Sequence, residues 1–152
     1  MTEAALNKTP GTDLDHKLIE LQIPAQIDRI KLVRPGIEAA ARMCGLTETA
    51  ARDVVLALDE ACQNTILHGY KDRSGGTITI ILSCLGDGLL MELRDGAPRI
   101  DPAKIKHRDL NDIKPGKLGT YFIKTIMDRV EYLPAPGGGN LLRMFKRKDG
   151  WS

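Results

Sequence analysis

The 152-residue chain has the length of one ordinary domain, and its 42% apolar content is enough for one buried core without a second domain. Lys and Arg number 22 against 20 acidic residues, so the formal charge of +2 supplies no basic field for nucleic-acid phosphates. Cys44, Cys62 and Cys84 are odd in number and far apart, and read as reduced, buried small residues; no signal-peptide order or membrane-length apolar run is present, so the expected location is the cytoplasm, with no membrane contact.

Residues 1–15 are mixed and polar and read as a flexible tail ahead of a single domain over 16–148. Residues 17–23 alternate as a short strand, which Pro24 stops. Over 25–44, Ile27, Ile30, Val33, Ile37, Ala40, Ala41 and Cys44 recur at helical spacing; Gly45 is placed to cap the end, and Pro35 is expected to kink or interrupt the helix. Thr47 can cap a second, longer helix reaching about Tyr70, with Val54, Val55, Leu58, Ala61, Cys62, Thr65 and Ile66 as its buried stripe.

Two β-branched or apolar runs, 77–84 and 89–94, flank Gly86-Asp87-Gly88 and predict a hairpin. Residues 95–117 hold three prolines and many charges, a long connection of the kind that forms lids. A third helix is expected over 118–129, then strands near 130–133 and 141–146 around the turn Gly137-Gly138-Gly139-Asn140. This order argues for an α+β fold: a two-layer sandwich in which helices cover one face of a mixed, mainly antiparallel sheet.

On the second helix Glu60 and Asn64 lie one turn apart on one face, with Asp53 and Ala57 on the same side. Alone, such a pair is most often a solvated surface. Asp95 ends a predicted strand beside Gly96, where it could accept a hydrogen bond from an exocyclic amine such as that of adenine, or simply make a turn. Gly116-Lys117-Leu118-Gly119-Thr120 leads into a helix, so free backbone N–H groups gather at a positive helix end that attracts phosphate. Neither a Walker loop, a protein-kinase catalytic loop nor a Gly-x-Gly-x-x-Gly fingerprint occurs.

Taken together, Leu58-Asp59-Glu60-Ala61-Cys62-Gln63-Asn64 with His68-Gly69-Tyr70, then 95–102, then 116–120 with Met127-Asp128-Arg129-Val130, resemble the anti-sigma-factor serine kinases of bacterial stress and sporulation control. That family shares the Bergerat-type ATPase fold of histidine kinases, gyrase B subunits, Hsp90-type chaperones and MutL proteins. The resemblance implies ATP and Mg²⁺ as cofactors, Glu60 as general base toward a substrate serine, Asn64 as Mg²⁺ ligand and Asp95 as reader of the adenine amino group. It further implies that Gly116 and Gly119 lie beside the phosphates, with Lys117, Leu118 and Thr120 between and after them at the end of the ATP lid. Ala97 stands where many relatives have glycine, a change adenine binding should survive, and Lys117 is read as neutralising phosphate charge. Implied partners are a STAS-type anti-anti-sigma protein as substrate, a sigma factor, and a second copy in a homodimer.

Of the other candidates, His68 is read as a helix-end residue, His107 and Arg108 as solvated lid residues, and His16 as surface; Trp151 carries no readable role. Arg29, Lys31, Arg34, Glu38 and Arg42 on the first helix form ordinary solvated patterning or a basic partner-binding patch. Two other functional readings compete. One is a nucleotide-dependent module that sequesters its partner without transferring phosphate, and the other is a sensor-kinase ATP domain, against which stands the absence of a preceding dimerisation hairpin.

Overall fold

Period-two alternation in the β-branched runs produces the strands of the computed structural model, which describes residues 15–71, 75–99 and 117–148, with 117–121 by backbone alone. Strands β1 (His16–Pro24), β2 (Thr77–Leu85), β3 (Gly88–Asp95), β4 (Arg129–Pro134) and β5 (Asn140–Arg147) make one sheet in the order β1-β2-β3-β5-β4. Every described pairing is antiparallel, in keeping with the expected mainly antiparallel sheet. Short turns join β2 to β3 and β4 to β5, and such connections can serve only antiparallel neighbours.

The alternation gives the sheet two unlike faces. Ile78, Ile80 and Leu82 of β2, Leu89, Met91 and Leu93 of β3, and Leu142 and Met144 of β5 enter a single core. Helices α1 (Ile27–Met43), α2 (Glu48–Asn64) and α3 (Lys117–Ile126) close that core on one side. Ile30, Val33 and Ile37 of α1, Val54, Leu58 and Ala61 of α2, and Ile123 of α3 are buried there, so each stripe exists because a helix turn is 3.6 residues.

Helix ends follow local chemistry. At the end of α1, Gly45 takes φ 87°, its N–H bonds to the Arg42 carbonyl, and the Leu46 N–H reaches back to the Ala41 carbonyl at 3.0 Å. That paired closure needs a left-handed residue, and glycine adopts it without a Cβ clash. Thr47 opens α2 by accepting the Ala50 N–H at 3.2 Å. Pro35, in contrast to the expected interruption, sits inside a continuous α1. Its missing N–H would have bonded the Lys31 carbonyl, and both residues are exposed, so water can satisfy that oxygen.

The cysteine reading is corrected. Cys44 and Cys84 form a disulfide with Cα atoms 5.3 Å apart, across a sequence separation of 40. Spacing cannot reveal this pairing, because it arises when the C-terminal end of α1 is laid on β2. Only Cys62 is free; burial, followed by the neighbouring Asp59 carboxylate, pushes its thiol up to about 12. Among the described residues no helix is long and apolar enough to cross a membrane.

Candidate functional site

Ala50, Ala51, Val54, Ala57, Leu58, Ala61 and Cys62 of α2 are buried, an arc wider than the expected stripe because it includes Ala57. Asp53, Glu60 and Asn64 lie along the margin of that arc and are half-buried. The face they share with Ala57 therefore looks along the edge of the core and not into open solvent, as the sequence alone allowed. No hydrogen bond or ion pair among the described residues engages the Glu60 or Asn64 side chain. A carboxylate and a carboxamide held half-buried without partners retain their full capacity for a ligand.

The helix expected to run unchanged to Tyr70 changes its winding right after Asn64. Residues Thr65–Gly69 form a π turn, in which the Tyr70 N–H bonds the Thr65 carbonyl five residues back at 2.8 Å. Single π turns inside α-helices recur at functional sites, since the wider turn shifts everything that follows. Here it brings Gly69 against the chain after β3: a Cβ on Gly69 would stand 3.1 Å from the Ala97 Cβ. Tyr70 ties the same junction, its hydroxyl accepting the Gly96 N–H at 2.7 Å and donating to the Thr77 carbonyl at 2.8 Å. Asp95-Gly96-Ala97 are thereby fixed beside the end of the helix that carries Glu60 and Asn64.

Asp95 is buried and its Oδ1 accepts two hydrogen bonds, one from the Ala97 N–H and one from the Asn140 side chain, each at 2.9 Å. Ala97 is buried too, and its N–H is spent on Asp95. Asn140 faces Asp95 directly in the β3–β5 register. Gly139 makes this approach possible, because a Cβ there would run into the Asp95 carbonyl oxygen. The helix expected over 118–129 is α3, beginning at Lys117 and ending at Ile126, with Arg129 already in β4. Lys117, Leu118, Gly119 and Thr120 form its first turn, whose backbone N–H groups have no partner within the helix. Gly116, His107, Arg108 and Trp151 lie outside the described residues, as does most of the expected lid.

His68 is exposed on the π turn. The basic side chains of α1 are largely matched by acids: Arg29 pairs with Asp28, Arg42 with Glu38 and Glu48, and Arg34 grips Asp59 of α2 through two bonds of 2.9 and 2.8 Å. Arg34 is therefore an interhelical clamp next to Glu60 and not merely solvated patterning. A small depression of about 80 Å³, lined by Leu85, Leu90, Arg129, Glu131, Arg143 and Phe145, lies on the other sheet face and is separate from this cluster. The sequence placed Tyr70 in a motif and Asn140 in a turn without a role at the site, and gave no sign of the Arg34–Asp59 pair. For Asn140 the only signal was its place after three glycines, which was read as a turn.

Residues 23–146 match the model of the family described as the histidine kinase-like ATPase domain. The chain belongs to that family. Among other members of the histidine kinase-like ATPase family, the serine-protein kinase RsbW of Bacillus velezensis is 30% identical over 130 residues, which are 80% of this chain and 79% of that protein. The serine-protein kinase RsbW of Bacillus subtilis is 30% identical over 121 residues, 74% of this chain and 75% of its own. The resemblance to anti-sigma-factor serine kinases rests securely on these relatives. The crystal structure of the RsbU and RsbW domains of a Mycobacterium tuberculosis protein shares the fold, with a TM-score of 0.58 at 20% identity over 86% of this chain; this chain spans 32% of that one.

Proposed function

We propose that this histidine kinase-like ATPase domain is an ATP-dependent serine protein kinase and anti-sigma factor, which phosphorylates a STAS-type anti-anti-sigma protein and holds a sigma factor in a partner-switching system. The observation that carries the reading is the pair Glu60 and Asn64, half-buried and without side-chain partners among the described residues, one turn apart beside the Asp95–Ala97 segment. Both relatives named above carry the description serine-protein kinase.

Phosphoryl transfer needs positioning, charge stabilisation and one group to take the hydroxyl proton. Glu60 supplies that group: its carboxylate oxygen accepts the proton of the substrate serine as the hydroxyl oxygen bonds to the γ-phosphorus and the bond from that phosphorus to the β–γ bridging oxygen breaks, releasing ADP. Asp95 orients the nucleotide through the adenine amino group, and the first turn of α3, Lys117 to Thr120, offers backbone N–H groups to the phosphates. The Asn64 amide oxygen is a hard ligand of the kind Mg²⁺ accepts, and bound there the ion would supply positive charge beside the phosphates.

The test is incubation with the STAS protein and γ-labelled ATP, alongside calorimetry with Mg-ADP. Glu60→Gln should lower transfer about 100-fold or more and leave nucleotide affinity within about twofold, because the base acts on the hydroxyl. Wild-type protein that binds nucleotide yet transfers nothing would leave the sequestering module as the function. For the partner copy, we assign Leu32, Ala39 and Met43, an exposed apolar stripe on α1, to the homodimer contact.

A further inference from the structure

The Asp95 carboxylate is satisfied on one oxygen only. Its Oδ1 takes the Ala97 N–H and the Asn140 Nδ2, whereas no donor among the described residues reaches Oδ2. Although only 9% of the residue is exposed, Oδ2 is not among the buried, unpartnered side-chain atoms of the described residues, so it keeps contact with solvent and stands open to a donor.

Asn140 is the group that divides the two oxygens. It is buried, its amide nitrogen also reaches the Pro98 carbonyl at 3.0 Å and the Ala97 carbonyl at 3.3 Å, and its Oδ1 accepts from Arg99 at 3.1 Å. One carboxamide thus fastens the 95–99 segment to the start of β5 and holds Asp95 against rotation about its last side-chain bond. That torsion is soft in a free aspartate, because an sp³–sp² rotor has broad wells. Only a side chain with donor and acceptor ends meets both demands: an aspartate would set a second carboxylate against Asp95, and a leucine would fill the space with no donor.

We infer that Asn140 is a positioning residue that keeps Asp95 Oδ2 presented to an amino-bearing purine, and so determines selection of adenine over 6-keto purines. The inference rests on the nucleotide-binding reading above and deepens it. With Oδ1 committed, the carboxylate offers a fixed acceptor, which attracts a 6-amino group and repels the 6-carbonyl oxygen of hypoxanthine. Without Asn140 only the Ala97 N–H still holds Oδ1, so the carboxylate turns more freely, the acceptor direction spreads, and the difference between the two bases shrinks.

The experiment is titration calorimetry of wild type, Asn140→Ala and Asn140→Leu with Mg-ADP and Mg-IDP, whose bases differ in the 6-substituent. A hydrogen bond to a charged group predicts that wild type favours ADP by about tenfold or more. Both variants should bring that ratio to within about threefold. The ratio is independent of the folded fraction, since unfolded chain binds neither ligand, and Asn140→Leu preserves volume should the alanine variant fail to fold. A ratio in the variants equal to that of wild type would overturn the inference and leave nucleotide binding intact, as would wild type binding both ligands equally. Wild type binding neither would remove the nucleotide reading itself and the inference with it.

Discussion

Cys62 sits two residues after Glu60, yet the two face different surroundings: Glu60 is half-buried at the margin of the α2 contact and Cys62 is enclosed in the core. Helical geometry puts them about 160° apart, since successive residues step by about 100° (the 3.6-residue turn), so chain proximity says nothing about shared chemistry. The free thiol's rise from 9.0 to about 12 gives a signed prediction. Between those values the unfolded chain has released a proton that the folded chain retains, so this contribution is complete below pH 9 and is lost as pH climbs toward 12. Urea unfolding at pH 8 and 10.5 should show wild type losing about 2 kcal/mol more than Cys62→Ala across that interval. Equal losses would mean the thiol reaches solvent. That Glu60 and Asn64 share one helix face and that Asp95 ends a strand was legible from spacing; the pairing of Asn140 with Asp95 was not, because it depends on the β3–β5 register that sets the two opposite each other.

At the scale of elements, α1 is bound to its neighbours by two different links. Arg34 holds Asp59 of α2, and the Cys44–Cys84 disulfide holds the end of the helix to β2. Closing a loop of 40 residues restricts the unfolded chain and is worth about 4 kcal/mol in the chain-entropy model. Reduction, or the double change Cys44→Ser and Cys84→Ser, should therefore lower the melting temperature by about 10 °C. Differential scanning calorimetry with and without a reductant reads this directly, and a shift under about 2 °C would show that the link constrains little. The π turn is a second decision at this scale. Continued α-helix through Thr65–Gly69 was the natural reading of the spacing, but the contact of Gly69 with Ala97 and the anchoring of Tyr70 to Gly96 and Thr77 act from outside the segment.

The whole molecule is asymmetric in its surfaces. Its helices seal one sheet face, while α1 turns Leu32, 77% exposed, and Met43, 70% exposed, outward. Exposed apolar side chains on one helix face are the kind of surface that a second copy can cover. Leu32→Glu should disperse the proposed dimer, halving the mass seen by sedimentation equilibrium while leaving Mg-ADP affinity unchanged, because the substitution lies on the outer side of α1. Wild type sedimenting as a monomer at high concentration would remove the second copy as the occupant of this stripe.

What the sequence by itself determined was the local layer: alternation for β1, β-branched or apolar runs for the later strands, 3.6-residue spacing for the helices, Gly45 and Thr47 as their punctuation, and the ordered motifs around Glu60, Asn64 and Asp95. Each depends on residues within a turn or two of one another, where sterics and hydrogen bonding act without reference to the rest of the chain. Tertiary structure alone decided the strand order, the Cys44–Cys84 pairing, the Arg34–Asp59 clamp, and the meeting of Tyr70, Asp95 and Asn140. Those contacts join residues tens of positions apart, and they exist only once the helices lie on the sheet, because the burial that brings them together belongs to the shared core and to no single segment.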